Sequence, residues 1–295
     1  MVDLTLEIRK TAKELLEKGE AKVVLGWEKG NFPYSTTPVF IDKPEDTERL
    51  IWDEYCINNL ALYMLDYKHL DGKVGIFVKG CDSRGINRLV QDKQLDREKV
   101  ILIGLSCPGM KDEKKAKELG PNADIPMAQK CQDCRYPDPV VYDVFLGEKQ
   151  NKKVPEKIDT SDVEEMETKS PDEKYRFFTT NYEKCLRCYA CRNVCPACNC
   201  KECIFDQTAT GWLAKANNVS NNMFFALTRA MHVGGRCIEC GECERVCSVN
   251  IPIMLLNKKI IKDINFLFGD YDAGLETEER LPLGGYDYTD PEEFM

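Results

Sequence analysis

Sixteen cysteines stand in the chain, and eight of them fall into two runs of one spacing. Cys185, Cys188, Cys191 and Cys195, followed by Pro196, read C-x2-C-x2-C-x3-C-P. Cys237, Cys240, Cys243 and Cys247 repeat the run, with Ser248 in the proline's place. Thiolates at every third position of a tight loop turn their sulfurs toward a common centre, as one side of a [4Fe–4S] cubane requires. The fourth cysteine enters the following helix and reaches the other cluster. The spacing therefore assigns Cys185, Cys188, Cys191 and Cys247 to one cluster, and Cys237, Cys240, Cys243 and Cys195 to a second. Zinc sites use separated pairs of cysteines rather than even triplets with a trailing fourth.

Four more cysteines sit where strands end. Cys81 follows the apolar run Val74–Val78, Cys107 follows Val100–Leu105, and Cys131 and Cys134 form a C-x2-C. Functional groups of open parallel sheets gather at such ends, so the four make a candidate ligand set for a third cluster. A zinc site, or burial as small hydrophobes, is open to the same residues. Cys56, Cys198, Cys200 and Cys203 remain. The last three form CPACNCKEC with Cys195, close enough to compete for iron, to hold a separate metal, or to pack around the clusters and tune them.

The elements that must position these thiols read as follows. Leu4, Ile8, Ala12, Leu15 and Leu16 share a helical face, with Gly19 as the cap. Short β-rich runs occupy residues 22–25 and 38–41. Pro44 opens a helical pattern through Leu50, Ile51, Tyr55, Leu62 and Leu65. The strand Val74–Val78 precedes Ile86, Leu89 and Val90 at helical spacing, and Val100–Leu105 precedes a charged helix over 111–119. Strand–helix alternation predicts an α/β domain with a mostly parallel sheet over residues 1–147. Residues 148–176, dense in Lys, Glu and Asp, read as a charged linker. Residues 177–268 read as a mostly α-helical domain carrying the two cysteine runs, with Met223, Phe224, Leu227 and Met231 on one helix face and Leu256, Ile260, Ile264 and Leu267 on another. Residues 269–295 read as an acidic extended tail whose tyrosines and Phe294 suit a docking arm.

Composition narrows the setting. The length of 295 residues gives room for two domains. A net charge of −9 repels nucleic-acid phosphates. No stretch approaches the roughly 20 apolar residues that span a bilayer, and residues 1–20 lack the apolar core of a secretory signal. So many thiols without such a signal predict a cytoplasmic metal-binding protein rather than a disulfide framework. No GxGxxG fingerprint and no GxxxxGK[ST] loop is present. Nothing forms a catalytic triad, a carboxylate pair or a nucleophile with its base.

Two resemblances attach to these residues. The stretch GRCIECGECERVCSVNIP, residues 235–252, with the first cysteine run, resembles the α-helical dicluster ferredoxins of heterodisulfide reductase C subunits and succinate dehydrogenase iron–sulfur subunits. That resemblance covers about residues 182–268 and implies one-electron relay. GCDSRG, IGLSCPGM and CQDCRYPDPVVYDVFLG, within residues 73–147, resemble the coenzyme F-420 hydrogenase/dehydrogenase β-subunit family. In that family such segments surround a flavin and an iron–sulfur site, which implies that Cys81, Cys107, Cys131 and Cys134 hold a third [4Fe–4S] cluster. It also implies that Gly80, Arg84 and Gly85 line the same pocket, and raises FAD as a cofactor. Here the ferredoxin segment follows the α/β region, whereas that family places it before. The dense run CPACNCKEC is similar to one in formate dehydrogenase β-like proteins. Together the resemblances imply an electron-transfer subunit of an anaerobic oxidoreductase complex. Its partners would be a flavoprotein, hydrogenase, formate dehydrogenase or heterodisulfide reductase subunit. The alternative is a flavin-containing subunit that itself exchanges hydride with a nicotinamide or deazaflavin.

Overall fold

The structure is a computed structural model that describes residues 4–120, 123–150, 154–278 and 281–285. It divides into two compact units, Met1–Lys157 with Gly274–Thr277, and Ile158–Ala273 with Glu278–Met295.

In the first unit the chain runs α1 (Leu4–Glu17), β1 (Val23–Lys29), β2 (Thr36–Ile41), β3 (Val74–Val78), α2 (Gly80–Gln91), β4 (Val100–Leu105), α3 (Glu113–Leu119), α4 (Gln129–Gln132) and β5 (Val144–Leu146). The strands order β2-β1-β3-β4-β5. Only β2 is antiparallel; β1, β3, β4 and β5 are parallel. Every residue of β3 is buried, as expected of a strand covered on both faces. Helices α1 and α2 both pack on β3. Gly80 opens α2 against a main-chain wall: a Cβ there would stand 1.8 Å from the Tyr136 carbonyl oxygen.

The helical pattern opened by Pro44 breaks into two 3-10 turns, Pro44–Arg49 and Ala61–Tyr67. Polar side chains take the backbone groups a helix would need. Asp53 accepts from Tyr55 N, Asn59 accepts from Ala61 N, and Asp82 accepts from Leu60 N.

The second unit holds α5 (Ser161–Thr168), α6 (Pro171–Glu183), α7 (Ala190–Asn193), α8 (Val219–His232), α9 (Glu242–Arg245) and α10 (Ile253–Phe268), with no strand among the described residues. The segment expected as a linker thus contains two helices. Ser170 and Glu173 form a capping box with Pro171 in the first turn of α6. The charges of α5 pair with α10: Asp162 with Lys258 at 3.3 Å, and Glu167 with Lys259 at 2.9 Å and Lys262 at 2.7 Å. High charge density here marks a paired helix face rather than a solvated connector. The buried core of this unit gathers Tyr182, Cys247 and Ile251.

Of the tail, Phe294, Tyr286 and Tyr288 lie outside the described residues. Gly274 and Leu275, grouped with the first unit, offer their carbonyls to the buried Asn87 amide at 3.1 and 2.9 Å. No helix among the described residues is long and apolar enough to cross a membrane.

Candidate metal centres

The two cysteine runs fold into the same loop twice. In the first, Arg187 and Tyr189 take left-handed φ values of 49° and 60° before the short helix α7; in the second, Glu239 and Gly241 take 59° and 65° before α9. Three of these four residues are not glycine, so the conformation carries backbone strain of the kind that accumulates at functional sites. Alternating right- and left-handed residues aim successive N–H groups inward. Arg187 N lies 3.4 Å from Cys185 Sγ, and Ile251 N lies 3.3 Å from Cys247 Sγ.

Cys247 of the second run reaches the first. Cys185, Cys188, Cys191 and Cys247 line one cavity, with apolar walls from Tyr182, Phe225 and other side chains. Burial raises the Cys185 thiol, with Cys247 and Cys188 adding to the shift. Cys237 and Cys243 instead face Cys195: burial pushes Cys237 up to about 12, and Cys195 acts on both thiols in the same direction. Cys188 is exposed, while Cys243 and Cys247 are buried.

Three polar side chains bind these loops from α8 and α10. Asn222 donates to the Tyr182 and Cys185 carbonyls, both at 3.0 Å. Arg229 donates to the Cys191 carbonyl at 3.1 Å. Asn257 points its amide at sulfur, 3.8 Å from Cys237 Sγ and 3.9 Å from Cys243 Sγ. The grouped apolar face of α8 is therefore split: Met223 packs against the core around Tyr182, and the other three turn out. Phe224, Leu227 and Met231 are exposed, and Asn222, Phe225, Arg229 and Ala230 are buried. Apolar periodicity selects the wrong face because the inner side of this helix must serve carbonyls and thiols.

The surplus cysteines of the second unit have different neighbours. Cys198 turns to Cys195, and its hydrogen bond lowers the Cys195 thiol. Cys203 bonds Arg192, which also pairs with Asp206 at 2.9 Å. Cys200 is exposed. Cys56 belongs to the first unit's core, where burial pushes it up to about 12 and its sulfur accepts from Asp53 N at 3.3 Å.

In the first unit the thiols of Cys81, Cys107, Cys131 and Cys134 act on one another's charge. Burial raises Cys81, Cys107 and Cys134; Cys134 adds to the rise at Cys81, Cys131 and Cys134 to that at Cys107, and Cys131 to that at Cys134. Cations ring the group. Lys79, 1% exposed, is held by Asp82 at 3.0 Å, by the Asn58 carbonyl at 3.0 Å and by the Trp27 ring at 3.8 Å. Its charge opposes the rise at Cys81 and Cys107, and Lys130 does so at Cys134. Arg84 lies 4.2 Å over the Tyr136 ring, and Gly80 meets the Tyr136 carbonyl. Gly85 is buried within α2. Lys79 and Asn257 escaped the sequence reading; Lys79, immediately before GCDSRG, was within reach of it.

Among the described residues no three His, Cys, Asp or Glu side chains converge closely enough to hold one metal ion. A cubane gives each thiolate its own iron, and Cys185, Cys188, Cys191 and Cys247, lining one cavity, are a donor set of that chemistry.

The F420-dependent formate dehydrogenase 1 subunit beta of Methanococcus maripaludis is 25% identical over 92% of this chain and 91% of its own length. The F420-dependent formate dehydrogenase subunit beta of Methanocaldococcus jannaschii is 22% identical over 82% and 84%. This chain is similar to formate dehydrogenase beta subunits over nearly its whole length. A chain of the F420-reducing [NiFe] hydrogenase complex from Methanosarcina barkeri aligns with 40% of this one and 42% of its own length, at 20% identity and a TM-score of 0.32. No protein-family model matches.

Proposed function

We propose that this chain is the iron–sulfur electron-transfer subunit of a multi-subunit oxidoreductase of the formate dehydrogenase kind. Two cubanes would sit on the second unit, held by Cys185, Cys188, Cys191 and Cys247 and by Cys237, Cys240, Cys243 and Cys195. A third would sit on Cys81, Cys107, Cys131 and Cys134. The observation that carries the reading is the pair of loops with one left-handed pattern, the second run's Cys247 lining the cavity of the first run's Cys185, Cys188 and Cys191. Bound cubanes supply one-electron transfer over a wide range of potentials. The chain's own part is to hold thiolates at fixed spacing, to exclude water with Tyr182, Phe225 and Ile251, and to aim N–H groups at sulfur. Most of these thiols are raised by burial, so loading metal releases protons. Cys198 serves as a hydrogen-bond donor to Cys195, and Cys200 and Cys203 carry no iron in this reading.

A second reading draws on the F420 dependence named for the relatives. A flavin bound beside Gly80, Arg84 and Gly85 would let the chain itself exchange hydride with a deazaflavin. Flavin content of protein purified with its native partner subunits separates the two readings.

Electron relay is tested by mixing the anaerobic chain with a formate dehydrogenase catalytic subunit and formate. Formate-driven bleaching of the broad visible absorption supports the relay. A chain whose absorption stays oxidised with an active catalytic subunit present contradicts it.

A further inference from the structure

Arg229 is 4% exposed and sits on the inner face of α8. One guanidinium nitrogen donates to the Cys191 carbonyl at 3.1 Å, and Nε has no hydrogen-bond partner. Among the described residues no carboxylate pairs with it. The groups that act on its charge are thiols: Cys243 first, then Cys195, Cys198 and Cys191. Arg229 also lines the cavity of Cys185, Cys188, Cys191 and Cys247.

A desolvated cation without an anion is among the costliest things a core can contain. The thiols facing Arg229 come from both cysteine runs. Cys191 belongs to the first ligand set, and Cys195 and Cys243 to the second. Four thiolates around a cubane core leave a net anion, and each one-electron reduction adds one more negative charge. A fixed positive charge nearby favours the reduced form of whichever cluster it faces.

Resting on the cluster assignment above, we propose that Arg229 is a positioning residue serving as a shared counter-charge, buried against both clusters of the second unit and raising both potentials together. It offsets the mutual repulsion of two anionic centres, so that both can be reduced within one potential window. Lysine can replace the charge; glutamine, of similar length, cannot.

The test is a dithionite titration of the full chain, purified without oxygen, with each cluster followed by electron paramagnetic resonance. In R229Q both couples of the second unit move to more negative potential, each losing about tenfold or more in its reduction equilibrium constant, about 59 mV for a one-electron couple. R229K stays near wild type. A fully loaded R229Q with both potentials unmoved, or only one moved, overturns the counter-charge. So does an R229K that shifts as far as R229Q. If R229Q fails to retain clusters, retention by R229K supports the role and loss in both variants overturns it. A wild-type chain without cubane signals overturns the cluster assignment itself, which distinguishes the two failures.

Discussion

Asn257 Nδ2 lies 3.8 Å from Cys237 Sγ, within reach of an N–H···S hydrogen bond from the buried face of α10. A donor to a cluster thiolate stabilises the more negative, reduced form. Replacing Asn257 with Leu keeps the branched shape and removes the donor. A hydrogen bond of ~1 kcal/mol corresponds to about 40 mV for one electron. We expect the cluster of Cys237 and Cys243 to fall by that order while the cluster of Cys185 keeps its potential. Redox titration that finds both shifted, or neither, contradicts the contact's role.

The exchange of fourth cysteines predicts a pattern of double variants. Cys247→Ser should cost about one cubane of iron, and adding Cys185→Ser should cost little more, because both residues serve one cluster. Adding Cys237→Ser to Cys247→Ser should remove both cubanes. Iron analysis in which Cys247→Ser and Cys237→Ser together remove only one would mean that each run closes on itself.

These two expectations divide what was legible in the sequence from what was not. The cysteine spacings gave two loops of one conformation, because a tight turn leaves the backbone little freedom, and the apolar runs gave β3 and β4. The inner face of α8 was illegible. Its buried residues include Asn222 and Arg229 beside Phe225, while Leu227 and Met231 face outward. Hydrophobic periodicity assumes an apolar core, and this core is built around thiols and carbonyls. The helix α5 was missed for the converse reason: its stabilising partners are lysines on α10, far away in sequence.

Gly80 offers a test of the first unit. A Cβ at that position would lie 1.8 Å from the Tyr136 carbonyl oxygen. Gly80→Ala must push apart α2 and the segment after Cys134, at a cost of about 1–3 kcal/mol by analogy with overpacked cores. Denaturant unfolding should register the loss. Iron content should fall by about one cubane, since Cys81 adjoins Gly80 and Cys134 nearly adjoins Tyr136. Unchanged stability and iron would show that this close approach is dispensable.

Asp143 gives a pH dependence. Burial alone would raise its carboxyl; bonds from Arg97 at 2.6 Å and Leu102 N at 2.7 Å hold it below the usual range. A carboxylate depressed in the folded state contributes stability above its unfolded pKa of about 3.9. That contribution disappears as pH falls through the lower folded value. Asp143→Asn should therefore be less stable than wild type at neutral pH, with the two curves converging below about pH 4. A difference that persists undiminished in acid would assign the effect to the lost geometry rather than to charge.

Iron, acid-labile sulfide and zinc per chain, measured on protein purified without oxygen, test the central claim most directly. Three cubanes predict about twelve irons with matching sulfide and no zinc. About eight irons would confine the clusters to the second unit and leave Cys81, Cys107, Cys131 and Cys134 a structural role. Zinc in place of iron, or iron without sulfide, would contradict the account.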